Sequence, residues 1–404
     1  MLGGRPEKEP MSKSPSSVDL SLPARRIVVQ IQAGFLLVGI ANTLIGPILP
    51  VLSSRWHLSD AQAGHLFTAQ FAGAIAGSAL SGLLIRKLEV VTVLAAGYGG
   101  LAIAIVSLSA NSWLIGLASF VVLGFSLGLT NPATNMSIAE LNPERRAAAL
   151  NLLNLIWGVG AISGPPLIAL PTRRGDMFWV LSGLALALAL VALTLTRSAM
   201  RLSFGQTRPS PLPVNSMLSA WLSPYALLTG ALVFIYVGTE TAISGWIALY
   251  VQRLGHTAQS FWALASSLFW AGLLTGRAAA PALLRRINEE RLVLLALFVA
   301  IAGMSIILTG QELITISAGA VLAGLGLAPV FPNTLAIFTR HYGKQASQLA
   351  GVIFVLASLG GAMLPWLVGL VSSHHRELRV GLLVPLLGGG VMLALQFAIN
   401  SRAE

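Results

Sequence analysis

Of the 14 acidic residues in this 404-residue chain, 13 lie in the polar N-terminal stretch or near the ends of apolar runs. Glu240 alone stands near the middle of such a run, in Tyr236-Val-Gly-Thr-Glu-Thr-Ala-Ile-Ser-Gly-Trp246. A carboxylate in that setting has to face protein or water, and it marks a functional position by default. It can accept hydrogen bonds from a cargo's hydroxyls, carry a proton, or tie two helices together. Tyr236 lies one helical turn before it, on the same face. Other apolar runs supply Asn42, Gln70, Asn131, Asn154 and Asn333, each an amide with both donors and acceptors, suited to a neutral polyhydroxyl solute or to bonds between helices. Trp157 and Trp246 offer indole faces for sugar C–H groups. Trp246 is off the Glu240 face by helical spacing and needs a bend near Gly245 to join it. Arg277 is the one basic residue well inside a run, placed for gating or coupling alongside Glu240. The six histidines sit at run ends, and there is no cysteine, so no metal cluster, disulfide or catalytic constellation is expected.

The elements that position these side chains follow from composition. Hydrophobic residues make up 55% of the chain, charged residues 10%, and mean hydropathy is +0.79. A water-soluble fold could not bury so much apolar surface, so the solvent is lipid. Runs long enough to span a bilayer occur at 26–52, 60–85, 90–110, 113–139, 146–170, 176–196, 222–252, 259–284, 291–310, 313–339, 346–372 and 379–399. This predicts an all-α membrane protein with twelve transmembrane helices in two six-helix bundles, over 25–197 and 221–400. A disordered cytoplasmic tail (1–24) and a cytoplasmic linker (198–220) complete the organisation. With both termini cytoplasmic, 18 of the 25 Lys and Arg fall on the inner side, six on the outer, and Arg277 within a span. That asymmetry follows the positive-inside rule and supports twelve spans with both termini inside; the membrane expected is a plasma membrane, the inner membrane of a bacterium. The net charge of +11 is thereby a matter of topology and implies no nucleic-acid partner.

The two halves repeat. Leu127-Gly128-Leu129 and Asn135 return 198 residues later as Leu325-Gly326-Leu327 and Asn333, and the Gly160…Pro165 segment is echoed by Gly360…Pro365. Duplicated bundles that rock about a central site are a common plan for solute carriers. The same shift carries Glu240 onto Asn42.

The segment Tyr236-Val237-Gly238-x-Glu240 with Gly245-Trp246 and Tyr250 resembles the fucose-permease-like group of the major facilitator superfamily. So does the stretch holding Asn131, Asn135, Pro143-Glu144, Asn151 and Gly160. The resemblance implies the major facilitator fold, with its two pseudo-symmetric bundles, and transport of hexoses or related sugars. Fucose/proton symporters of this group carry acidic residues in spans one and four; the matching positions here are Gly46 and Asn131, which take no proton. Their span-five amide pair falls on Asn154 and Trp157, so one amide remains. The loop after span two keeps Gly82 and Arg86-Lys87 without the usual aspartate.

The expected function is transport of a small polar solute, a hexose or relative, by alternating access, as a facilitator or as a symporter coupled to a proton or sodium. The alternative is a proton-coupled multidrug or metabolite efflux antiporter built on Glu240. A monomer in the lipid bilayer, without cofactor and without enzymatic activity, completes the expectation.

Overall fold

The computed structural model describes residues 22–172, 177–199, 223–255 and 261–403. The tail and the linker expected at 1–24 and 198–220 lie almost wholly outside the described residues. Every regular element described is helical. Span one comprises Leu22–Asn42 and Ile45–Arg55; spans two to six are Asp60–Lys87, Val90–Ser107, Trp113–Leu141, Arg146–Thr172 and Met177–Ala199. Spans seven to nine are Pro224–Leu254, Leu264–Leu283 and Glu289–Thr309. Span ten is Leu313–Leu327 with Val330–Tyr342, span eleven Ala346–His375, and span twelve Leu378–Gly381 with Leu383–Ala403.

Ten of these are long and apolar enough to cross a membrane by themselves, and the two pieces of span one, bent by 45°, make an eleventh. Span eight is the twelfth. It carries Arg277, Ser266 and Ser267 within 20 residues and packs between spans five, seven and ten. The molecule is a multi-pass membrane protein.

Local chemistry sets the ends and the breaks. Span seven opens on Ser223, whose hydroxyl accepts from the Ala226 N–H, followed by Pro224 at the first helical position. It closes on Gly255 at φ 71°, a left-handed residue that ends the helix without strain. Span one breaks because Pro47 cannot donate to the Thr43 carbonyl, while the Thr43 hydroxyl turns back to the Gly39 and Ile40 carbonyls at 3.0 and 3.3 Å. Span ten breaks at Ala328-Pro329 for the same reason.

Helix pairing shows the duplication. In the first half spans two and four, three and four, three and six, one and five, and one and six pack together; in the second half the same scheme recurs six spans later. Glycines let spans two and four meet backbone to backbone. A Cβ at Gly77 would lie 2.0 Å from the Phe125 carbonyl oxygen, and one at Gly124 would lie 1.7 Å from that of Gln70. Gly124→Ala should therefore push the helices apart at a cost of about 1–3 kcal/mol. The midpoint of thermal unfolding in detergent should fall by several degrees; an unchanged midpoint would mean the two spans do not meet there.

Candidate functional site

The two halves are joined toward one end. Arg253 at the close of span seven grips Asp60 at the start of span two with both guanidinium nitrogens, at 2.8 and 2.5 Å. The Ser372 hydroxyl also donates to Asp60, and the Ala61 N–H donates to Ser373 Oγ at 2.7 Å. Just below, the Trp246 indole donates to the Pro365 carbonyl at 3.0 Å and stacks on Phe67 with centroids 5.8 Å apart. Thr68 donates to the Ala362 carbonyl at 3.2 Å and Ser267 to that of Ile162 at 2.9 Å. At the other end spans four and ten do not pack on each other among the described residues. The hydrogen bonds between the halves thus gather toward the Asp60 end, away from the end where Arg340 meets Glu289 and Glu290.

Glu240 lies below these contacts. Its carboxylate accepts a hydrogen bond from the Tyr236 hydroxyl, and Arg277 Nη2 stands 4.0 Å from the same oxygen, Oε2. Tyr236 is fully buried and stacked on Phe331, 5.8 Å between centroids and 23° between planes. Packing contacts fix the level of the other candidates. Gly46 sits against the Ser244 carbonyl, so Asn42 and Glu240, each four residues earlier on spans running the same way, are close to level. The offset between Gly46 and Ser244 equals the 198-residue repeat, so the structure brings repeat-related positions together at the centre. Ser266 donates to the Ser244 carbonyl at 3.5 Å, which sets Trp270 on the antiparallel span eight level with Glu240. Trp270 meets Trp157 of span five edge to face at 5.6 Å. Gln70, two residues inward of the Thr68–Ala362 bond, falls within a turn of this layer; it is 5% exposed and its Oε1 has no hydrogen-bond partner.

Asn154 and Arg277 occupy the next layer inward. Gly158 packs on Leu274; Asn154 lies four residues before Gly158 and Arg277 three after Leu274, on antiparallel spans. Asn154 is exposed but points away from the exposed leucines of its helix, Leu152 and Leu155, so its exposure is to the cleft rather than to lipid.

Three predicted residues lie elsewhere. Trp246 is fully buried in the closed end, because span seven runs unbroken through Gly245 and the bend that would have turned it toward Glu240 is absent. Asn333 is 5% exposed and its amide donates at 2.6 Å to the Pro329 carbonyl, beside the break in span ten. Asn131 lies further inward: Gly124 meets the Gln70 carbonyl and Ser81 bonds that of Leu129 at 3.3 Å, which together set Asn131 two to four turns below Gln70, about 10–20 Å along a helix. Asn131 Oδ1 is buried without a partner, while its backbone carbonyl accepts from Asn135 at 2.9 Å.

Asp60 and Arg253 stand near the ends of apolar runs, and their pairing joins residues 193 positions apart. The one local signal was Ser59-x-x-Gln62, a capping box that starts span two at Asp60.

Comparison with known proteins agrees with this architecture. The sequence profile of the Major Facilitator Superfamily matches residues 33–365. The glucose/mannose transporter GlcP of Bacillus subtilis (strain 168) is 23% identical over 352 residues, covering 83% of this chain and 86% of that protein. A bacterial homologue of the human lysosomal transporter Spinster, in an inward-facing and unoccupied conformation, superposes with TM-score 0.77 at 15% identity, covering 94% of this chain and 97% of that one. FucP, the Escherichia coli fucose:proton symporter, superposes in its outward conformation with TM-score 0.62 at 18% identity, covering 93% and 99%. The resemblance read from span seven thus holds at the level of the family, and the chain is a membrane transporter rather than an enzyme. With the profile spanning most of its length and the paired six-helix packing in place, the chain belongs to the Major Facilitator Superfamily.

Proposed function

We propose that this protein carries a hexose or a related neutral polyol across the plasma membrane by alternating access, with both termini cytoplasmic. The observation that carries the reading is the central layer: Glu240, Asn42 and Gln70 lie at one level between the halves, beside the Trp157–Trp270 pair. Glu240 accepts from vicinal hydroxyls, the amides both donate and accept, and the indoles cover the apolar face of the ring. Asn154 meets the solute one turn further in, and Asn131 lines the path toward the Arg340 end. Tyr236 and Arg277 orient the Glu240 carboxylate. Trp246 and Asn333 act through the closed gate and the span-ten break, without touching the solute. Similarity to a glucose/mannose transporter supports a sugar as cargo.

The test is direct. A panel of monosaccharides should raise the melting temperature of the purified protein only for those it binds. Proteoliposomes should then exchange the labelled form of the same sugar. Silence across the panel, with uptake of lipophilic cations instead, would replace this reading with drug efflux.

A further inference from the structure

We infer that Arg277 is a permanent counter-cation for Glu240, so that the solute crosses with no proton or sodium ion riding on that carboxylate. The inference rests on the sugar-carrier reading and deepens it.

A coupling carboxylate must change partners during the cycle. It takes up a cation on one side, releases it on the other, and differs in charge between the two journeys. Glu240 already has its partners. Tyr236 directs its only hydroxyl proton at the carboxylate, a bond in which the carboxylate serves as acceptor. Arg277 stands at the same oxygen, 4.0 Å away. Its Nε is buried with no hydrogen-bond partner, so this edge of the guanidinium is already stripped of water. With the Arg277 side chain 34% exposed and that of Glu240 15%, the pair is part-buried, and separating it leaves each charge with less water than it would have outside the protein.

The pair also lies within one half. Glu240 and Tyr236 are on span seven, and Arg277 is on span eight, which packs against span seven through Ser266 and Ser244. Rocking of the halves does not part them. The Asp60–Arg253 pair is the opposite case, since it links the halves and must open in each cycle. Nor does a second titratable group face Glu240. Span ten presents Phe331 to Tyr236, span eleven Gly360 and Leu364 to Gly238, span twelve Gly388 to Thr239, span one Gly46 to Ser244, and span two Phe67 to Gly245. Among the described residues, Tyr236 and Arg277 are the ionisable groups at the site.

The protein reconstituted with a transported hexose should fill vesicles at one rate, and to one level, with an inward proton gradient, an inward sodium gradient or neither. Adding sugar should move no protons across the membrane. Accumulation above equilibrium under either gradient overturns the inference and leaves the sugar reading standing; absence of hexose flux under all three conditions sinks the sugar reading instead. A second measurement needs no transport. The infrared difference between wild type and Glu240→Gln should show an ionised carboxylate across about pH 5 to 8; a protonated-carboxyl band in that range overturns the inference. In Arg277→Gln the band should emerge, and uptake should rise several-fold under a proton gradient. An Arg277→Gln protein as indifferent to gradients as wild type also counts against it. Should that variant fail to fold, Arg277→Lys keeps the charge and must remain gradient-insensitive, and sensitivity there overturns the inference.

Discussion

Glu240→Gln should cut sugar exchange by about 10- to 100-fold at every pH, without introducing a new pH dependence. A hydrogen bond to a charged acceptor is worth roughly 1.5–3 kcal/mol, and glutamine offers one neutral acceptor oxygen in place of two charged ones. The variant also leaves Arg277 facing a neutral amide inside the bundle. Removing one partner of a fully buried pair costs about 3–5 kcal/mol; with Arg277 34% exposed the cost here falls to about 1–3 kcal/mol, so Glu240→Gln should melt earlier than wild type as well as bind worse. The two effects separate in Glu240→Gln/Arg277→Gln. The double variant removes the orphaned charge and should regain most of the lost thermal stability, while sugar exchange stays low. If exchange returned with stability, the role of Glu240 would be structural, and its place in the solute layer would have to be given up.

The second large effect is expected at the closed end. Asp60 and Arg253 meet through two hydrogen bonds; Asp60 is nearly buried while Arg253 is partly open to solvent. Solvent screening lowers the worth of such a pair and two-point geometry raises it, which together suggest about 1–2 kcal/mol, or a 5- to 30-fold change in the ratio of closed to open gate. The chain has no cysteine, so a single one can be placed behind the gate at Ala362, which is 6% exposed and meets Thr68 only through its backbone carbonyl. Its reaction with a maleimide in detergent should speed up by about that factor in Asp60→Asn or Arg253→Gln. Labelling at the wild-type rate in both variants would show that the Trp246–Phe67–Pro365 contacts hold the gate by themselves.

Much of this design was legible in the sequence because lipid imposes simple rules. Apolar length gave the spans to within a few residues, and the 198-residue echo gave the pairing of halves that packing then displays. Glu240 stood out because a lone carboxylate in an apolar run needs a reason. Level within the membrane was harder to read. Asn131 and Asn154 look equivalent as amides in neighbouring spans, yet the register between spans two and four carries Asn131 at least two turns inward of Gln70. That register depends on glycine contacts, which leave no periodic mark. Asn333 reads as a binding group because an amide bonded back onto its own helix has the same composition as one reaching for a ligand. The Asp60–Arg253 pair escaped notice because each residue, taken alone, is an ordinary charge at a helix end.

The kinks carry a last consequence. Span one is broken where its repeat partner, span seven, is whole, and span ten is broken where span four runs straight through Pro132. Half a revolution about the internal axis therefore does not return the same object. The two facings of such a carrier differ in free energy, and the empty protein idles on the favoured side. One-way delivery must wait for the unloaded return, so swapping one labelled molecule for another should outpace net filling of an empty vesicle.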